Sequence, residues 1–340
     1  MQNLIYISIT VVFLLVCFFM ISNYKILALK LNFLDTPDEL SNHKNKLPTG
    51  VGIIFVFLIC IIYLCLLAFS ETKVLNLNFP NRHYLFLLSI ISLGIISFID
   101  DIKSVHFLYR FLAHIVFVMA STPLLSNDMI YPIPEKLSLM IVIFLWVYII
   151  NIFNFLDGSN GYLSINAIFI FICYLITLIS SKIFLAEFNF YMIFFTTLIL
   201  TVYLYFNYPN ASVFCGDSGS IIIGYIIGYI FFDLVNNGYW HIAIAILSYP
   251  ILDVTLTILN KMKNGNYPWE RLFDYFFLRA LNAINKDHKL IFNTSLIFNL
   301  INLIIIVSML AFNLRWLCLL SLVLAFIKIF YFNNLVKNNK

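Results

Sequence analysis

The acids and amides of this chain stand in a few short segments between long apolar stretches. Asp100 and Asp101 are adjacent, and Asn151, Asn154 and Asp157 follow one another at intervals of three residues. Residues three apart lie on one face of a helix. Placing polar side chains at the end of an apolar helix costs free energy, so they are usually kept for a function. Carboxylate and amide oxygens suit Mg²⁺, which usually takes one or two carboxylates together with a substrate phosphate.

The adjacent pair Asp100-Asp101 also admits a simpler interpretation. Two neighbouring carboxylates repel each other, so a divalent cation, Lys103 or a phosphate network has to offset them. The alternative is a solvated helix cap, although acids at a helix C-terminus oppose the helix dipole. For the series that starts at Asn151, polar packing between helices explains one asparagine but not the whole string. That string ends in the tight turn Gly158-Ser-Asn-Gly161.

Two further segments combine small residues with a titratable group. Asp217 stands between glycines at the start of an apolar stretch. A metal and a phosphate can both approach such a position. The alternative is that the aspartate simply caps a helix. His43 precedes the sequence Pro48-Thr-Gly-Val-Gly52. Glycines at a helix N-terminus let backbone N–H groups approach an anion; the alternative is an ordinary Pro/Gly turn.

A fifth segment, between Lys261 and Lys289, is basic and aromatic. It includes Arg271 and Arg279, and phenylalanines at positions 273, 276 and 277 stand between the charged residues. This pattern is typical of an amphipathic segment in the membrane interface. The basic residues could meet a diphosphate or the anionic leaflet.

The elements that must position these residues are membrane helices. The chain is 62% hydrophobic and only 11% charged, against roughly 25% charged in soluble domains. About 20 apolar residues cross a bilayer, and eleven such stretches predict one all-α integral membrane domain over residues 1–340. They lie near residues 4–22, 51–69, 84–98, 108–123, 137–153, 165–180, 188–206, 221–234, 240–259, 296–312 and 315–332.

The distribution of basic residues predicts the orientation. Lysine and arginine are concentrated in the odd-numbered loops and the C-terminal tail, which the positive-inside rule makes cytoplasmic. We therefore expect the N-terminus outside, the C-terminus in the cytoplasm, and five cytoplasmic active-site loops near residues 23–50, 99–107, 151–164, 207–220 and 260–291. The cysteines show no metal-binding or disulfide spacing, and no pattern of basic and aromatic residues suggests a nucleic-acid partner.

Taken together, the motifs resemble those of the polyprenyl-phosphate N-acetylhexosamine-1-phosphate transferases, also called glycosyltransferase family 4. The resemblance runs from Asp35 to about Lys289. It depends on Asp-Asp after the third helix, Asn-x-x-Asn-x-x-Asp-Gly-x-Asn-Gly after the fifth, and Phe-Cys-Gly-Asp-Ser-Gly-Ser before the eighth. The family transfers a sugar 1-phosphate from a UDP-N-acetyl sugar to a polyprenyl phosphate such as undecaprenyl phosphate, and releases UMP.

The resemblance also implies site roles and partners. Asp217 resembles the Mg²⁺ ligand, with Mn²⁺ as a possible substitute, and Asn154 belongs to the same environment. Asp100, Asp101 and Asp157 resemble catalytic groups, with Asp100 the candidate base. The implied substrate-binding residues are His43, Lys103, Asn151, Asn154, Asn160, Arg271 and Arg279. The family also implies membrane lipids and a second copy of the chain as partners, a bacterial inner-membrane location with the site facing the cytoplasm, and the first step of a surface glycan such as O-antigen or capsule.

The chain departs from the family pattern in two of the loops. Leu40 stands where relatives often have an arginine, and Thr49-Gly50-Val51 replaces their Arg-Gly-Gly. In the fifth loop, the stretch 272–279 keeps only the final arginine, Arg279, of a motif with two histidines that is associated with the nucleotide sugar. The departures leave the sugar unassigned and argue against lipid I synthesis. The alternatives are a lipid I synthase-like enzyme, a non-catalytic binder of the lipid carrier, and a transporter, which should place its charges near mid-membrane.

Overall fold

A computed structural model describes residues 2–37, 42, 45–71, 83–125, 133–180, 188–267 and 274–339. Within these residues the chain forms twelve α-helices. Their bounds are α1 Gln2–Leu31, α2 Gly52–Glu71, α3 His83–Ile102, α4 Phe107–Ser121, α5 Glu135–Leu156, α6 Tyr162–Ser180, α7 Phe188–Asn207, α8 Asp217–Asn236, α9 Trp240–Lys263, α10 Phe276–Ala283, α11 His288–Phe312 and α12 Cys318–Asn338.

All of these helices except α10 belong to stretches that are long and apolar enough to cross a membrane, which makes eleven candidate spans in the described residues. The predicted number of spans is therefore confirmed. Several helices extend beyond their apolar runs: α1 continues to Leu31 and α11 begins at His288. Large apolar side chains such as Leu15, Phe144 and Phe330 are exposed on the outside, as a lipid environment requires. The orientation of the two termini remains a prediction.

Helix α8 lies at the centre of the bundle and is the most enclosed of the spans. It packs against α2, α3, α5, α6 and α9. Its closest neighbour is α5, because Gly224 and Gly228 leave room for Ile150 and Trp146. A methyl group at Gly224 would lie 2.8 Å from the Ile150 Cα, and a methyl group at Gly228 would lie 2.1 Å from the Trp146 ring. This is the small-xxx-small spacing by which membrane helices approach closely.

The loop between α1 and α2 contains a short departure from the all-α prediction. Two-residue strands β1 (Leu34–Asp35) and β2 (Leu47–Pro48) pair antiparallel. Hydropathy did not indicate this ladder, because two residues carry no periodicity. The ladder and the turn that follows it lead the chain into α2.

Hydrogen bonds join described parts of all five predicted loops. Asn42 donates to the Gly158 carbonyl and Phe214 N–H to the Pro48 carbonyl, at 2.9 and 2.7 Å. Further bonds connect the second loop to the fourth and the third to the fourth and fifth. The loop ends of these helices therefore form one continuous surface, on which the polar motifs meet.

Candidate active site

Asp101, at the end of α3, caps the N-terminus of α8. Its carboxylate accepts hydrogen bonds from the backbone N–H groups of Asp217 and Ser218, at 2.7 and 3.1 Å. A carboxylate at this position is stabilised by the unpaired N–H groups and the positive end of the helix dipole. The capping side chain thus comes from α3, while Gly216 at the cap position of α8 has none. The interpretation of Asp217 as the cap is wrong.

Gly216 makes this contact possible. Its φ is +72°, and a Cβ atom at this residue would lie 2.4 Å from Asp101 Oδ2. Only glycine adopts this conformation without strain and leaves space for the carboxylate.

We expect Gly216→Ala to displace Asp101 and destabilise the protein by about 2 kcal/mol or more, because backbone strain adds to the loss of two charge-assisted bonds. Thermal unfolding in detergent measures this. Gly238→Ala is the matched control, since Gly238 also has a positive φ (+82°) but nothing within 4 Å of its Cβ. An equal loss of stability in both variants would contradict the role given to Asp101.

Arg110, on α4, bridges two of the aspartates. Its Nη1 donates to Oδ2 of Asp100 and to Oδ2 of Asp217. The other oxygen of Asp100 accepts from Val105 N–H at 2.6 Å, which closes the turn between α3 and α4. Asp100 is therefore fully engaged rather than a solvated cap. Arg110 was not predicted as a site residue: it lies ten positions beyond Asp100 in an apolar helix, without a motif of its own.

Asn154 and Asp157 bring the end of α5 to the same place. The Asn154 side chain interacts with the Asp217 carboxylate. Asp157 follows α5 directly, and burial, together with the negative charges of Asp217, Asp101 and Asp35, raises the pKa of Asp157 well above its usual range. Asn151 lies one turn earlier and donates its amide to the Val147 carbonyl within α5, at 2.7 Å.

Acidic side chains outnumber basic ones in this cluster. Arg110 pairs with Asp100 and Asp217, and the other two acids, Asp101 and Asp157, interact electrostatically with Asp217. The donor set is all oxygen, and Asp217 with Asn154 offers the one carboxylate and nearby amide that Mg²⁺ accepts alongside substrate phosphate. Among the described residues no group of three His, Cys, Asp or Glu side chains is spaced to hold a metal alone.

Asn160 and its neighbours fasten the loops together. The Asn160 amide donates to the Pro209 carbonyl at 3.0 Å, and Gly161 N–H donates to Asn207 at 2.6 Å. Ser159 lies 2.9 Å from Nδ1 of His288, at the start of α11. In this arrangement the predicted substrate-binding group Asn160 is occupied by a contact between the third and fourth loops.

The glycines before α2 are used in packing. Val51 and Gly52 N–H donate to the carbonyls of Phe214 and Cys215, at 3.3 and 3.0 Å. A Cβ atom at Gly52 would lie 1.9 Å from Gly219 N. These N–H groups are therefore closed to an anion, and of the two interpretations the structure supports the ordinary Pro/Gly turn.

The remaining predicted residues are less informative. His43 and Arg271 lie outside the described residues. The Lys103 side chain is exposed at the end of α3, and Arg279, on α10, is half-buried with its guanidinium carbon 5.6 Å from the centre of the Phe276 ring. Phe276 and Phe277 are buried within the protein. These two rings therefore do not face lipid, Phe273 lies outside the described residues, and the placement of the segment in the membrane interface stays a prediction.

Comparison with known proteins relates the part of the chain that contains this site to a known family. Residues 83–235 match the model of glycosyl transferase family 4. This stretch belongs to that family. The resemblance predicted from the motifs is confirmed, and the family 4 region contains all four clustered aspartates and Arg110.

Two curated relatives match more of the chain. An undecaprenyl-phosphate alpha-N-acetylglucosaminyl 1-phosphate transferase from Thermotoga maritima is 25% identical over 300 residues, which cover 85% of this chain and 87% of the relative. A phospho-N-acetylmuramoyl-pentapeptide-transferase from Deinococcus radiodurans is 26% identical over 204 residues, which cover 53% of this chain and 60% of the relative. Both matches extend the similarity beyond the family 4 region.

Proposed function

We propose that this chain is a phosphoglycosyl transferase that moves an N-acetylhexosamine 1-phosphate from a UDP-sugar to a polyprenyl phosphate. The observation that carries the proposal is the meeting of Asp100, Asp101, Asp157, Asp217 and Arg110 at the ends of apolar helices, all within the family 4 region. The name of the Thermotoga relative supports undecaprenyl phosphate as the carrier. A site at the ends of membrane helices is where a lipid and a water-soluble nucleotide can both reach.

In the proposed reaction an oxygen of the lipid phosphate attacks the β-phosphorus of the UDP-sugar. The new P–O bond forms as the bond from this phosphorus to the oxygen bridging the two phosphates breaks, and UMP leaves with the electron pair. A phosphate monoester has a second pKa of about 6, so the attacking oxygen is largely deprotonated already. The main task is to bring two anions together and to neutralise the transferring phosphoryl group.

Each residue of the cluster has its own role in the proposed reaction. Asp217 and Asn154 would hold Mg²⁺, which supplies charge neutralisation on the phosphoryl oxygens. Asp101 fixes the N-terminus of α8 and thereby the position of Asp217. Because both oxygens of Asp100 are already hydrogen-bonded, we assign Asp100 to the orientation of Arg110 rather than to proton removal. Arg110 is placed to neutralise phosphate charge.

The proposed location is a bacterial inner membrane with the five connected loops facing the cytoplasm, and the positive-inside rule supports this facing. There the product would start a surface glycan such as O-antigen or capsule. The Deinococcus relative supports a second candidate, transfer of a phospho-N-acetylmuramoyl-pentapeptide. The longer match to the Thermotoga relative favours the unsubstituted N-acetylhexosamine.

The test is UMP release by purified protein supplied with undecaprenyl phosphate, Mg²⁺ and a panel of UDP-sugars. The panel includes UDP-N-acetylglucosamine, UDP-N-acetylgalactosamine and UDP-N-acetylmuramoyl-pentapeptide. We expect release that requires both lipid and divalent cation, with an unsubstituted N-acetylhexosamine preferred. Preference for the pentapeptide would select the second candidate, and no release from folded protein with any sugar would reject the transferase.

A further inference from the structure

A lysine is buried in the last membrane helix, away from the acid cluster. Lys328, on α12, is 1% exposed, and its Nζ has no hydrogen-bond partner in the part of the chain that the structure describes. The Nζ lies 3.7 Å from the centre of the Tyr249 ring and 5.5 Å from that of Tyr162. A charged group at such a position is costly and rarely retained without a use.

Lys328 faces a buried hydrogen-bond chain. Tyr162 donates to the Tyr249 hydroxyl at 2.9 Å, and Tyr249 donates to Oδ2 of Asp253 at 2.6 Å. Asp253 is also 1% exposed. Tyr249 joins the two residues, because its ring lies beside Lys328 Nζ and its hydroxyl donates to Asp253.

The second oxygen of Asp253 holds the N-terminus of α10. It accepts a hydrogen bond from Phe276 N–H at 2.9 Å, where an anion is favoured by the helix dipole. Two apolar contacts fix the same short helix against the third loop. Phe277 stacks on Tyr162, with ring centres 4.1 Å apart, and the Leu278 side chain fills the space in which Gly158 would have a Cβ.

We propose that Lys328 and Asp253 form a buried clamp that docks α10 on the third loop, and that both act as positioning residues for Arg279. This inference rests on the proposed function, because the family resemblance behind that function is what implies that Arg279 binds substrate. The clamp fixes Arg279, the arginine of the family motif that this loop keeps, through the helix that carries it.

Three variants test the clamp: Lys328→Met, Asp253→Asn and the double variant. Each single change removes one of the two polar groups that contact Tyr249 and leaves the other buried without it, which is more harmful than removing both. We expect each single variant to raise the Kd for UMP and the KM for the UDP-sugar about tenfold, which corresponds to about 1.4 kcal/mol. The KM for the lipid should change less than about twofold, and the double variant should be less impaired than the two single effects combined predict.

Hydrogen exchange supplies a measurement that does not depend on turnover. Amides of α10 should exchange faster in Lys328→Met, while those of α5 and α8 keep their protection. Lys337→Met is the matched control, since Lys337 is exposed in the last turn of the same helix. Unchanged exchange in α10, or an equal rise in the KM of both substrates, would overturn the inference. Absence of UMP release from the wild type as well would instead reject the proposed function, while the exchange data still decide whether the clamp exists.

Discussion

Asp217→Asn is expected to reduce UMP release by about 10³-fold or more without removing folded protein from the membrane, because it takes away the proposed metal ligand. The same change removes one of the two carboxylates that Arg110 bridges. The measurement is the turnover rate at saturating lipid and UDP-sugar, normalised to monodisperse protein. Binding of Mn²⁺ should be lost in parallel.

Glu135→Gln is the control for this prediction. Glu135 begins α5, the helix that brings Asn154 to the site from its other end. Its removal should leave both turnover and Mn²⁺ binding unchanged. Retention of more than about a tenth of wild-type activity by Asp217→Asn would be too large for a lost metal ligand and would refute the role of Asp217.

Arg110→Gln is expected to lower kcat by about 10² to 10³-fold, since one preorganised donor at a developing phosphoryl charge contributes on this scale. Arg110→Lys should recover only part of the rate, because an ammonium keeps the charge but lacks the planar fork of a guanidinium. The change should act mainly on kcat if the interaction with phosphate strengthens in the transition state.

A second measurement separates this role from a structural one. Without Arg110, Asp100 and Asp217 repel each other, so Mg²⁺ should stabilise Arg110→Gln against thermal unfolding more than it stabilises the wild type. Lys103→Gln serves for comparison, since Lys103 is exposed and makes no ion pair in the described residues. Equal losses of rate in Lys103→Gln and Arg110→Gln would show that only the general positive potential matters.

The helices were predictable from sequence because the bilayer imposes a minimum apolar length. Their ends were not, because a helix continues wherever its backbone bonds are satisfied. Thus α1 runs on past Lys25 and Lys30 to Leu31, beyond the predicted end near residue 22. The helix α10 escaped prediction as a packed element, because apolar residues that face the protein or the membrane interface give the same pattern.

For the site, residue types revealed the acids but not their partners. Asp100, Asp101, Asp157 and Asp217 are recognisable because carboxylates at the ends of apolar helices are rare. Arg110 is not, because one arginine in the first turn of a membrane helix is an ordinary topological signal. The use of Asp101 as the cap of α8 depends on a contact between residues 116 positions apart. Local sequence does not encode such a contact.

The contact between Asp101 and the start of α8 has a consequence for biogenesis. During insertion, α3 is in the membrane long before α8 emerges from the ribosome, and until then neither the Arg110 bridge nor the Asp101 cap can be complete. A partly inserted chain therefore lacks the arrangement of acids and Arg110 on which the proposed transfer depends. The site is assembled only when the eighth helix is in place.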